Sequence, residues 1–146
     1  MQIQALTLLL TDADLKSLLE KNPPPGVVID GLTARFTPEG VVVTGRYPTP
    51  FMAVPFETLW QLSVEGPCVR AKLANVRVMG LPGAMLTGMM MKMIRESVAG
   101  KPGVSVENDS VVAHAGEAFE RYGLAVDVKF AVVRLSIGAA VIEASA

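Results

Sequence analysis

Residues 52–64 constrain the fold more than any other stretch of this chain. Met52, Val54, Phe56, Thr58, Trp60, Leu62 and Val64 occupy one side of a period-two pattern, and Ala53, Pro55, Glu57, Leu59, Gln61 and Ser63 occupy the other. Successive side chains of a strand point to opposite faces, so a run of this length reads as one long, half-buried strand. Glu65-Gly66-Pro67 turns it, and residues 68–79 run back with Arg70, Lys72 and Arg77 among apolar positions. Upstream, residues 27–36 and Val41–Tyr47 flank the turn Thr37-Pro38-Glu39-Gly40, a hairpin signal. Pro48 and Pro50 mark an edge, bend or crossover before the long strand. These turns predict an antiparallel sheet.

The flanks add strands and two helices. Residues 2–11 read as a strand with Leu6, Leu8 and Leu10 on one face. Thr11 then offers a capping hydroxyl, and Asp12 and Asp14 sit in the first turn of a helix, where the dipole favours negative charge. That short amphipathic helix buries Leu15, Leu18 and Leu19 and must stop before Pro23, Pro24 and Pro25. A second helix is predicted from Gly80-Leu81-Pro82 to about Ala99, with Gly100 as its stop. Val104–Glu107 and Ser110–His114 flank Asn108-Asp109 as a further hairpin, and residues 116–122 suit a helical turn. Residues 124–144 read as one long bent strand or two strands meeting near Gly138. No linker divides the chain, so residues 1–146 are read as a single domain.

The second helix is the most unusual element. Six of the eight methionines lie between residues 79 and 93. On a helical wheel Gly88, Lys92 and Arg95 share a sector roughly 60° wide, and nearly everything else is apolar. A helix resting on one sheet face needs an apolar stripe of only about 100° or somewhat more, so this pattern predicts cover on almost every side. Methionine is unbranched and polarizable, and it fills irregular spaces and tolerates changing partners. The helix is an ordinary core element, an adaptable wall for a hydrophobic ligand or apolar partner, or a membrane-inserting helix, although an interfacial helix usually shows a broad basic face and this one has only Lys92, Arg95 and Glu96.

Composition limits the function. Hydrophobic residues make up 51% of the chain and the mean hydropathy is +0.42, yet no stretch reaches the ~18–20 apolar residues of a membrane span. The apolar excess must lie inside, line a cavity or form an interface. A basic segment followed by an apolar run is not read at Met1, so the chain as written is expected in the cytoplasm. A net charge of −1 argues against a nucleic-acid partner. Cys68 is the sole cysteine and His114 the sole histidine, so neither an intramolecular disulfide nor a His/Cys zinc site can be built. His114 lacks a nucleophile elbow nearby, and Gly80-x-x-Gly83 is not followed by the Lys-Ser/Thr of a phosphate loop. No catalytic residue, metal or cofactor is assigned, and the chain is not expected to be an enzyme.

The order of elements resembles a known family. A strand leads into the T-D-A-D-L helix at Thr11 to Leu15. Several long strands follow, and VRAKLANVRVMGLPG at Val69 to Gly83 runs into a Gly-Leu-Pro helix start. An apolar helix and the VSVENDSVV segment come next. Over roughly Leu6 to Val112 this is similar to the small bacterial YpmS-like members of the tubular lipid-binding superfamily. The resemblance implies an α+β fold in which a long, strongly curved antiparallel sheet wraps the Met-rich helix. It also implies acyl chains held in the gap between them. Members usually carry an N-terminal membrane anchor, which this chain does not show. One chain is about the size of one tubular unit, so a full tube implies a homodimer, and the lipid partner implies transient contact with a membrane surface.

The function expected on these grounds is non-catalytic binding or carrying of a lipid or other hydrophobic molecule. Met85, Leu86, Met89, Met90, Met93 and Ile94 would line an apolar groove, with Phe51, Phe56 and Trp60 as the facing wall. The alternative is an assembly protein that dimerises through the same surface without ligand. A small enzyme using His114 is the third reading.

Overall fold

In a computed structural model the described residues are 5–21, 29–48, 50–78, 83–99, 103–114, 116 and 129–145. Along the chain they form β1 (Ala5–Thr11), α1 (Asp12–Lys21), β2 (Asp30–Thr37), β3 (Gly40–Pro48), β4 (Ala53–Glu65), β5 (Cys68–Val78), α2 (Gly83–Val98), β6 (Val104–Glu107), β7 (Ser110–His114), β8 (Lys129–Ser136) and β9 (Ala139–Ser145). The expected strand start at 27–28 and most of the expected turn at 116–122 lie outside the described residues.

The strands build two antiparallel sheets. One has six strands in the order β2-β3-β4-β5-β7-β6, and the other has three in the order β1-β9-β8. The hairpins read from the turn residues are present, with Thr37 opposite Gly40, Glu65 opposite Cys68 and Glu107 opposite Ser110. The segment read as one or two strands near Gly138 is two: β8 and β9 pair tightly, Ser136 opposite Ala139. Central β9 also pairs with β1 along its whole length, from Ala5 opposite Ser145 to Thr11 opposite Ala139.

The expected architecture, a single curved sheet wrapped around a Met-rich helix, is not the one observed. The fold is mostly β, and its two sheets are joined at backbone level. The Gly138 N–H donates to the Phe36 carbonyl at 3.0 Å, and the Phe130 N–H donates to the Gly66 carbonyl at 2.7 Å. Among the described residues helix α2 lies mainly against β5 and β6, and α1 mainly against β2. The burial pattern explains the difference. Arg95, Gly88, Lys92, Glu96 and Met89 are exposed, while Met90, Met91, Met93, Ile94 and Val98 are buried or half-buried. On a 100° wheel the exposed set spans about 120°, so α2 is a one-sided helix. The apolar Met89 lies on the solvent side, where hydrophobicity alone did not put it.

Period two decides which residues meet the helices. On β4, Phe56, Thr58 and Trp60 are buried, and Pro55, Gln61 and Ser63 are exposed. Phe36, Val41, Phe56, Trp60, Leu73, Met90, Met91 and Ala140 form one buried cluster. Two bulges keep the pattern in phase. One lies in β2 between Asp30 and Thr33, where Gly31 has φ +63°, and the other in β5, where Leu59 pairs Asn75 and Trp60 pairs Leu73. The first leaves Leu32 on the same face as Ala34 and Phe36, toward the helices.

Candidate functional site

Between the two helices and the six-stranded sheet lies a cavity of about 440 Å³. Helix α1 supplies Leu15, Leu18 and Leu19, the stripe that its amphipathic pattern directs inward. Helix α2 supplies Met90, Met93 and Ile94. The sheet supplies Leu32 and Ala34 of β2, Val41 and Val43 of β3, Phe56, Trp60 and Leu62 of β4, Ala71 of β5 and Val111 of β7, with Ile29 just before β2. These strand residues occupy register-matched rows: Ala34 opposite Val43, Val41 opposite Trp60, Ala71 opposite both Leu62 and Val111.

Among the described residues the lining contains no charged, amide or hydroxyl side chain. The one polar atom close to it is accounted for: the Trp60 indole N–H donates to Thr58 Oγ1 at 2.9 Å, and the Thr58 hydroxyl donates to the Val43 carbonyl at 3.2 Å. The Trp60 ring therefore presents only its apolar body to the cavity. Water gains little there, because an ordered water needs two to four polar partners. Leu18 remains 54% exposed although it lines the cavity, which places an opening beside α1.

The residues proposed from sequence separate into three groups. Phe56, Trp60, Met90, Met93 and Ile94 come together around the cavity. Met89 is 43% exposed on the outer side of α2, and Phe51 is 96% exposed beyond the end of β3; neither is among the lining residues. The side chains of Met85 and Leu86 lie outside the described set. Sequence reasoning did not assign the α1 leucines to the site, although it had read them as a core-facing stripe. It also missed the small residues Ala34 and Ala71, whose short side chains leave the space open.

Among the described residues no group of three His, Cys, Asp or Glu side chains is placed to hold a metal ion. His114 lies at the end of β7 opposite Cys68, its backbone N–H bonded to the Gly103 carbonyl at 2.7 Å. No described helix is long and apolar enough to cross a membrane.

Comparison with known proteins assigns no family. No family model matches the chain, and no curated protein or solved structure matches it significantly. None of this bears on the resemblance to the tubular lipid-binding superfamily, so the reading of function rests on the geometry of the cavity.

Proposed function

We propose that this protein binds or carries a hydrophobic small molecule of acyl-chain type in the cavity between α1, α2 and the six-stranded sheet. The observation that carries the reading is the size of the cavity together with the apolar lining that its described residues give it. Ligand pockets commonly measure ~300–1,000 Å³. The cavity opens beside α1, so a guest can enter, and one that covers these apolar walls removes their surface and its own from water. Each buried methylene contributes ~0.8 kcal/mol. Because the described lining offers no polar anchor, selectivity falls on chain length and shape.

The test is direct. Native mass spectrometry of purified protein, followed by organic extraction, reads copurified lipid and subunit number together. Stripped protein is then titrated with a fluorescent fatty-acid probe, beside Ala71→Phe, which fills the cavity from the sheet side. The reading expects saturable uptake by the wild type and loss of uptake in a folded Ala71→Phe variant. A wild type that carries no lipid and takes up no probe overturns it.

A further inference from the structure

The β3–β4 turn ends in an exposed apolar tip. Phe51 is 96% exposed and Met52 66%, and the flanking Pro48, Pro50 and Ala53 are exposed as well. An almost bare phenylalanine is unusual, because burying that ring is worth a few kcal/mol to any fold that can reach it. Behind the tip a shallow, open hollow is bordered by Thr44, Arg46, Pro55, Glu57 and Arg77 and reaches Phe56. Alternation decides the face: Val43 and Phe56 point to the helices, so Arg46, Glu57 and Arg77 point away from them.

The charges of this pocket are unevenly matched. Glu57 lies 3.6 Å from the Arg35 guanidinium. Arg46 and Arg77 form no ion pair among the described residues, although Asp30 stands opposite Arg46 and Glu57 opposite Arg77 in register. Among the residues bordering the pocket, Arg46 and Arg77 outnumber Glu57. Two uncommitted guanidiniums thus sit behind a bare aromatic tip.

We propose that this end of the sheet docks on an anionic membrane surface, with Phe51 and Met52 entering the interface and Arg46 and Arg77 meeting lipid headgroups. The spacing suits that arrangement. Pro55, in register with Arg46, is four residues from Phe51, or about 13 Å along an extended strand. Interfacial apolar groups sink ~5–10 Å into the boundary, which leaves the Arg46 guanidinium at headgroup level; Arg77, in register with Glu57, stands about 20 Å from Phe51, within about a Debye length of the headgroups. The cavity reaches the same end of the sheet, since Phe56 lines it five residues from Phe51. The docking itself does not depend on what the cavity holds.

The experiment is cosedimentation of the full chain with vesicles of phosphatidylcholine alone and of phosphatidylcholine with phosphatidylserine. The wild type should prefer the anionic vesicles, and binding should weaken with salt. Each of Arg46→Gln and Arg77→Gln should lower affinity for them roughly fivefold. Phe51→Ala should lower it on the order of tenfold with an unchanged unfolding midpoint. Ile137→Ser, which removes an 87% exposed apolar side chain from the β8–β9 turn, is the control and should bind as the wild type does. The proposal fails if the wild type does not bind anionic vesicles, if Phe51→Ala binds normally, or if Ile137→Ser loses as much as Phe51→Ala. It also fails if Phe51 instead mediates a concentration-dependent dimer that excludes vesicles.

Discussion

Asp12 shows what one side chain can contribute beyond its local signal. Sequence reads it as a carboxylate at a helix start, and that is where it lies. Its Oδ1 also accepts the Phe36 N–H at 2.8 Å, while its own N–H donates to the Gly138 carbonyl at 3.2 Å. One residue thereby ties α1, β2 and the β8–β9 turn together. Asp12→Ala should cost ~1–3 kcal/mol, because a partly buried N–H is left unmet; Asp12→Asn keeps an acceptor and should cost less. Two residues on, the Asp14 carboxylate accepts the Thr11 N–H (2.8 Å) and the Asp14 N–H donates to the Thr11 hydroxyl oxygen (3.4 Å), a reciprocal cap that the sequence showed in part. Thr11→Ala should cost about 1 kcal/mol. Denaturant unfolding of the three variants separates the long-range bond from the cap. Gly40 carries a different constraint. Its φ is +152°, and a Cβ there would fall 2.2 Å from the Trp60 carbonyl oxygen. Gly40→Ala should cost on the order of 3 kcal/mol or prevent folding, read by the same unfolding measurement.

At the scale of elements, α2 offers a comparison within a single turn. Met89 is on the solvent arc, Met91 is 5% exposed in the core cluster, and Met93 borders the cavity. Met89→Ala should change stability by less than about 0.5 kcal/mol. Met91→Ala should cost ~2–5 kcal/mol, since packed neighbours leave a void. Met93→Ala should fall between them, because part of its surroundings is already open, and it should alter probe affinity more than stability. Unfolding of stripped protein and a parallel probe titration measure both quantities. Equal losses at Met91 and Met93, with no probe uptake by the wild type, would mark α2 as plain core. The wheel could not rank these three methionines. Hydrophobicity assigns no side to a helix that is apolar nearly all round; only the position of β5 and β6 does.

The whole molecule decides how the two helices and two sheets enclose space. The six-stranded sheet has a polar face and a helix-covered face, and the three-stranded sheet closes on it through backbone bonds at Phe36 and Gly66. If the cavity is the binding site, ligand stabilises the folded state by mass action. Added fatty acid should raise unfolding free energy by about 2.7 kcal/mol at a free concentration one hundred times Kd. Thermal unfolding of stripped protein across a ligand series checks this. A midpoint that does not move at concentrations saturating the probe would separate probe adhesion from binding to the fold.

Local chemistry made much of this legible. Alternation at 52–64 announced β4 and its inward residues, Thr11 and the prolines bounded α1, and Gly66 and Gly138 marked turns, because each of those signals acts within a few residues. Five of the proposed site residues meet at one cavity for the same reason: Phe56 and Trp60 share a strand face, and Met90, Met93 and Ile94 share a helix face. Phe51 belongs to no such repeat past Pro50, and its aromatic character alone did not tell a wall from an exposed tip. The division into two sheets, the pairing of β1 with β9 from opposite ends of the chain, and the side of α2 left to solvent depend on contacts between distant residues. Periodicity states which side of an element is apolar. What that side meets was decided only when the elements packed.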